Sequence, residues 1–173
     1  MPFLLSTIPL SDEEDLSSFS CTNDELNDYF HQDALRDHQN RYTITHLVKH
    51  EEKILGFYSL ITDTIQIERI DESLLLEYDY RKIPAVKIAR MATHRDSERQ
   101  GIGEYMITDL FWRIVSLTDD VGCSVITVDA KKESVRFYEK YAFQRAKTKA
   151  DQDTVAMYLI LNIKQMTEDP DDL

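Results

Sequence analysis

Arg95-Asp-Ser-Glu-Arg-Gln-Gly-Ile-Gly103 lies between a strand pattern and a helix pattern, and its two glycines set what the backbone can do there. Upstream, Pro84–Thr93 (PAVKIARMAT) alternates, with Val86, Ile88 and Arg90 on one side and Lys87, Ala89 and Met91 on the other. Downstream, Ile102, Met106, Leu110, Ile114 and Leu117 recur on one helical stripe. Glycine lets the chain turn tightly and aim its N–H groups outward, and the helix that begins at once adds the positive end of its dipole. A pyrophosphate suits that geometry, because it offers many acceptors and needs no particular side chain. Taken alone, the same residues also fit an ordinary turn and helix cap. The loop lacks the Gly-Lys-Ser/Thr ending of an ATP-binding loop. Met106 also breaks the Gly-x-Gly-x-x-Gly spacing of a dinucleotide site.

Outward from this loop the pattern stays α/β. Phe3–Leu10 is a short apolar stretch that reads as a first strand. Thr22-Asn-Asp-Glu25 has the spacing of a capping box and opens a helical segment, with Leu26, Tyr29, Phe30 and Ala34 on one buried face. Tyr42–His50 and Ile54–Ile67 are β-rich, and the charged Glu51-Glu52-Lys53 between them predicts a hairpin. Ile70–Tyr80 reads as a short helix or an insertion. Past the glycine loop come Ser124–Val128 as a strand, a helix bearing Val135, Phe137, Tyr138 and Tyr141, and a final strand over Thr154–Leu161. Helices should therefore cover a mixed sheet.

The chain has 173 residues, enough for one domain that buries about 70% of its unfolded surface without disulfide or metal. We expect residues 1–165 to form that single domain and 166–173 to be a disordered acidic tail. No metal site is expected. Twenty Lys and Arg against 32 Asp and Glu give a net charge of −12, which argues against nucleic acid as a partner, although a local basic patch could offset it. No apolar run is long enough to span a membrane, and Met1–Leu10 lacks the basic start of a secretory signal, so a cytoplasmic location is expected. Cys21 and Cys123 then read as buried, reduced thiols.

One strand beyond the glycine loop, Phe137-Tyr-Glu-Lys-Tyr-Ala-Phe143 supplies a second motif. Together with Ala89-Arg-Met-Ala-Thr93 and Glu98-Arg-Gln-Gly-Ile-Gly103, it resembles the GNAT superfamily of acyl-CoA-dependent N-acetyltransferases, from Tyr42 to Leu161. The resemblance implies the GNAT fold, a mixed and mostly antiparallel sheet of six to seven strands flanked by helices. It implies acetyl-CoA as cofactor, its pyrophosphate held at Arg99, Gln100, Gly101, Ile102, Gly103 and Glu104, with Ser134 a further contact. Three positions depart from the family. Glu98 stands where Gln or Arg is usual, so Arg95 or Arg99 would supply the positive contact. Ala142 replaces a glycine, and Lys131 replaces an Asn that touches the cofactor. Phe19–Phe30 and Gly56-Phe-Tyr-Ser-Leu60 further resemble the branch containing the acetyltransferase toxins of toxin–antitoxin pairs.

Within that resemblance, the fourth strand splays from the fifth, and backbone at Met91, Ala92 and Thr93 faces the thioester carbonyl, an oxyanion-hole type of effect. Tyr138 matches the residue that protonates the leaving thiolate. A phenol near pKa 10 facing a thiol of roughly 8.5 makes that transfer reasonable. No general base stands out: Asp63, Glu68, Glu77 and Asp129 read as surface or loop charge, His46 as a packed histidine, and His94 as the first of weak choices. The main expectation is acetyl transfer to a primary amine of a small molecule or peptide, with a homodimer left open. The alternative is a toxin-type enzyme acting on aminoacyl-tRNA, which would need a basic patch around Arg36, Arg41, Lys131, Lys132, Arg136 and Lys140. A silent acyl-CoA-binding scaffold is the third reading.

Overall fold

The computed structural model describes residues 4–71, 79–147 and 153–162. Most of the Ile70–Tyr80 segment and the acidic tail lie outside them. Eleven elements follow one another: β1 (Ser6–Pro9), α1 (Asp24–Gln32), α2 (Ala34–Gln39), β2 (Ile44–His50), β3 (Lys53–Gln66), β4 (Lys82–Thr93), α3 (Ile102–Leu117), β5 (Val125–Lys131), α4 (Val135–Lys140), β6 (Gln144–Arg145) and β7 (Thr154–Ile160). The strands form one sheet in the order β1-β2-β3-β4-β5-β7-β6, at the upper end of the expected six to seven. The pairs β1–β2, β2–β3, β5–β7 and β6–β7 are antiparallel. This is the sheet that the GNAT resemblance implies.

The chain divides into two compact units, the first Met1–Ile61 with Ile88–Phe111, the second Thr62–Lys87 with Trp112–Leu173. The first is built around Phe19, Phe30, Leu47, Ile54 and Phe57, with Ala92 of β4 among them. Phe30 stacks on Phe57 at 4.5 Å, and Phe19 packs tilted against Phe30 and edge-on to Phe57. The second centres on Ile65, Ile70, Ile83, Val125 and Tyr158.

The hairpin expected at Glu51–Lys53 joins β2 to β3, with Glu51 in the left-handed region at φ 52°. Several local expectations need correction. The first helix caps on Asn23, one residue after the expected Thr22, because Asn23 Oδ1 accepts from the Leu26 N–H at 3.0 Å. That helical segment also breaks at Asp33 into two short helices. Arg90 is exposed although Val86 and Ile88 of the same alternation are buried. Leu117 leaves the α3 stripe as well, at 40% exposure, where the helix ends and the chain turns through Thr118–Val121.

Candidate active site

In the first unit, the glycine loop is shaped by two left-handed residues, Arg99 at φ 59° and Gly101 at φ 85°. The second conformation is natural for glycine and costly for any residue with a Cβ. A Cβ at Gly101 would meet nothing within 4 Å, so this surface is open to a ligand. Tyr105 donates its N–H to the Gly101 carbonyl at 3.0 Å, which fixes α3 to begin at Ile102. The first-turn N–H groups of Ile102 and Gly103 then have no carbonyl in a preceding turn to receive them. Ile102 is buried beneath them, while Arg99, Gln100, Gly101 and Glu104 are exposed. Outward amides, a sixteen-residue helix behind them and open space at the glycine fit a pyrophosphate.

Two supports of the loop fall in stretches that carry the toxin-branch resemblance, but their task at the loop is not visible in the sequence. Gly56 on β3 is the first. A Cβ there would lie 3.0 Å from Met106 Sδ, 3.1 Å from the Ala92 carbonyl and 3.1 Å from Ile102 Cγ2, so only glycine lets the start of α3 settle this close to the sheet. The second is the segment from Ser18 to Thr22, which straps the loop to α1. His94 Nε2 bonds the Ser18 carbonyl at 3.2 Å, the Arg95 N–H reaches the Ser20 carbonyl at 2.8 Å, and the Arg95 guanidinium reaches the Cys21 carbonyl at 3.2 Å. Thr22 donates its hydroxyl to Glu98 at 2.9 Å, while Asn27 of α1 brackets Cys21 with two further bonds. Glu98, the departure from the family, is thus tied to the strap. Arg95 serves the strap too, which leaves Arg99 as the loop cation without a described partner.

His94 loses its candidacy as a base. Its Nδ1 accepts the Asp96 N–H at 3.2 Å, so the hydrogen sits on Nε2 and points to Ser18. Both nitrogens are committed to backbone, and the residue is 5% exposed. Met91 and Thr93 are half-buried and Ala92 is buried; just beyond them the His94 N–H anchors to the Leu55 carbonyl at 2.8 Å.

In the second unit, Ser134 precedes α4 without capping it through its side chain, and Tyr138 lies on the buried face of that helix. Its ring meets the edges of Phe137 at 5.3 Å and Phe143 at 5.4 Å. Tyr138 is 5% exposed, and its hydroxyl bonds to no described residue. Burial pushes the phenol far above its ordinary range, so the proton stays on Oη at every working pH. That widens the gap to a thiol instead of leaving it small. A hydroxyl at the end of a buried ring that no described residue engages is left for a ligand, which fits the residue to a leaving group.

The other acids have local tasks. Asp63 accepts from the Thr127 hydroxyl at 2.6 Å, and Asp129 pairs with Lys87. His46 is buried and stacks on Tyr58 at 5.1 Å. Glu77 lies outside the described residues. Cys21 and Cys123 are buried free thiols, and burial pushes both up.

The family model for the GNAT acetyltransferase domain matches residues 11–158. A curated relative, the tRNA-acetylating toxin of Mycobacterium tuberculosis, is 25% identical over 140 residues, covering 80% of this chain and 84% of its own. Among solved structures, AtaT complexed with acetyl-methionyl-tRNAfMet superposes with a TM-score of 0.83 at 21% identity, covering 95% of this chain and 99% of that one. AtaTR bound with acetyl-CoA gives 0.77 at 21% identity, with 95% and 98% covered.

Proposed function

This chain belongs to the GNAT acetyltransferases, which use acetyl-CoA as acetyl donor, and on that premise we propose that its acceptor is the α-amine of an aminoacyl-tRNA. The observation that carries the reading is the similarity to a tRNA-acetylating toxin across four fifths of the chain. The small-molecule or peptide amine expected from the acidic composition has no support among the relatives, and the alternative takes its place.

Charge supports the reading once it is located. Between Lys131 and Lys147 stand six basic residues and two acidic ones, although the whole chain is at −12. Lys132, Arg136 and Lys140 recur at four-residue spacing across the turn before α4 and α4 itself, and all three are exposed. One of the two acids in the segment, Glu139, is paired with Arg145 at 2.8 Å. Such a stripe suits a phosphate backbone.

The chemistry fits as well. Bound acetyl-CoA supplies an activated acetyl thioester. The amides of Ile102 and Gly103, with Arg99, would hold its pyrophosphate. The backbone from Met91 to Thr93 would polarise the carbonyl. Tyr138 keeps a proton at Oη for the leaving sulfur. β4 offers no Asp or Glu, and His94 is committed to backbone, which suits an amine needing little help to be neutral. An α-amine, at about 7.7–8.0, meets that condition, whereas a lysine near 10.4 does not.

The test is release of free thiol from acetyl-CoA, measured with charged tRNAs beside a panel of small amines and peptides. Turnover that requires charged tRNA is expected. Turnover with a small amine or peptide and none with any charged tRNA would reject the reading.

A further inference from the structure

We propose that Arg90 grips a phosphate of the tRNA acceptor strand and so sets how the amine is presented. The assignment rests on the aminoacyl-tRNA reading and adds a residue to it. Arg90 lies on β4, exposed although its neighbours in the same alternation, Val86, Ile88 and Ala92, are buried. Its guanidinium carbon stands 4.8 Å from the centroid of the Tyr29 ring, and Nη1 donates to the Ala89 carbonyl at 2.8 Å. The ring beneath is itself fixed. Tyr29 is buried, its hydroxyl bonds Thr43 Oγ1 at 3.0 Å, and it stacks on Phe57 at 6.4 Å.

An exposed guanidinium anchored to the Ala89 carbonyl and set over a fixed ring, with donors to spare, is what points to a ligand. The first unit carries fifteen acidic residues against seven basic ones, yet Arg90 forms no ion pair with any described residue. By contrast Arg36 and Lys49 of the same unit each engage two carboxylates. A guanidinium anchored over an aromatic face keeps its remaining donors in a fork, and that fork matches phosphate oxygens. Arg90 directly precedes Met91–Thr93, the backbone assigned above to the thioester carbonyl. Three residues of strand span about 10 Å, so a phosphate held at Arg90 places a neighbouring amine within reach of that strand end.

If Arg90 merely covered Tyr29, its loss would appear in thermal stability alone. The experiment therefore compares parent, Arg90→Gln and Arg90→Lys for turnover of charged tRNA at several salt concentrations, with melting temperature and acetyl-CoA affinity on the same preparations. For Arg90→Gln we expect KM for charged tRNA to rise about tenfold with kcat nearly unchanged, the signature of a lost charged hydrogen bond in uniform binding. The slope of log KM against log salt should fall by about 0.7–0.9, one phosphate contact. Arg90→Lys should keep the slope and recover part of the KM. An unchanged KM and slope in Arg90→Gln overturns the assignment, as does a loss confined to melting temperature or shared equally by acetyl-CoA. If the parent turns over no charged tRNA, the aminoacyl-tRNA reading fails and takes the assignment with it. If the parent is active and Arg90→Gln matches it, only the assignment fails.

Discussion

Both units are acidic in total, at −8 and −4, but the second concentrates its bases in one segment and the first does not. The first holds the glycine loop in a segment pair with fifteen acids and seven bases; the second holds Tyr138 in a segment, Lys131 to Lys147, with six bases and two acids. Net charge averages these and hides the difference. A polyanion meets local potential within a Debye length of about 8–10 Å, not the sum over the chain. The acidic surplus of the first unit therefore says little about what the second can bind.

The contrast predicts that damage to each unit reads out differently. The largest effect should come from Tyr138→Phe in the second unit. The change removes one hydroxyl that bonds no described residue and keeps the ring against Phe137 and Phe143. Turnover of charged tRNA should fall about 10²–10⁴-fold, the range of general acid catalysis, with acetyl-CoA affinity and melting temperature close to parental. Retention of more than about a third of kcat would remove Tyr138 from the mechanism, since that range starts well below it.

Gly101→Glu in the first unit should do the reverse. The φ of 85° and the added negative charge both oppose a bound pyrophosphate, so acetyl-CoA affinity by calorimetry should drop about tenfold or more, while tRNA binding persists. Equal acetyl-CoA affinity in mutant and parent would displace the cofactor site from this loop. Next in size, reversal of Lys132, Arg136 and Lys140 to Glu together should weaken charged-tRNA binding and flatten its salt slope by roughly 2–3, three phosphate contacts, without moving acetyl-CoA affinity. A salt slope that stays parental would send the tRNA to another surface.

The sequence made the loop and the α4 motif legible because each depends on local chemistry: glycine at a helix start, an aromatic pair at helical spacing. The hairpin at Glu51 and the stripe of α3 up to Ile114 were readable for the same reason. What escaped depends on tertiary placement. Gly56 looks like any strand glycine until Met106 and Ile102 press on it, and the Ser18–Thr22 strap is made of backbone carbonyls that no residue pattern announces. His94 read as a candidate base because its ring chemistry is visible in sequence; its two backbone partners are not. The preference between the two acceptor readings is hard to draw from sequence for a further reason, since a summed charge discards position along the chain.

A last comparison narrows to two helix ends. Gly101 opens α3 at φ 85°, and Ala142 closes α4 at φ 65°, so both occupy the left-handed region but only one is glycine. At α4 the Phe143 N–H reaches the Tyr138 carbonyl at 3.2 Å and the Ala142 N–H reaches Glu139 at 3.1 Å, the paired bonds of a Schellman cap. That cap demands a left-handed residue, and alanine meets the demand at a cost of roughly 1–2 kcal/mol. Ala142→Gly removes the cost but gives the unfolded chain extra freedom, worth about 0.4–1 kcal/mol. The net gain should be about 0.5–1 kcal/mol, which for a chain of this size raises the melting temperature by about 1–4 °C. Ala142 is exposed and touches no proposed ligand, so turnover should stay parental. Gly101→Ala is the matched opposite: open space removes any clash, leaving only the left-handed penalty, and it should lower the melting temperature by a similar few degrees. If Ala142→Gly instead lowers the melting temperature, the cap is not strained by its Cβ and the departure from the family's glycine has no energetic cost. The sign of that one shift decides whether the two helix ends obey the same backbone rule.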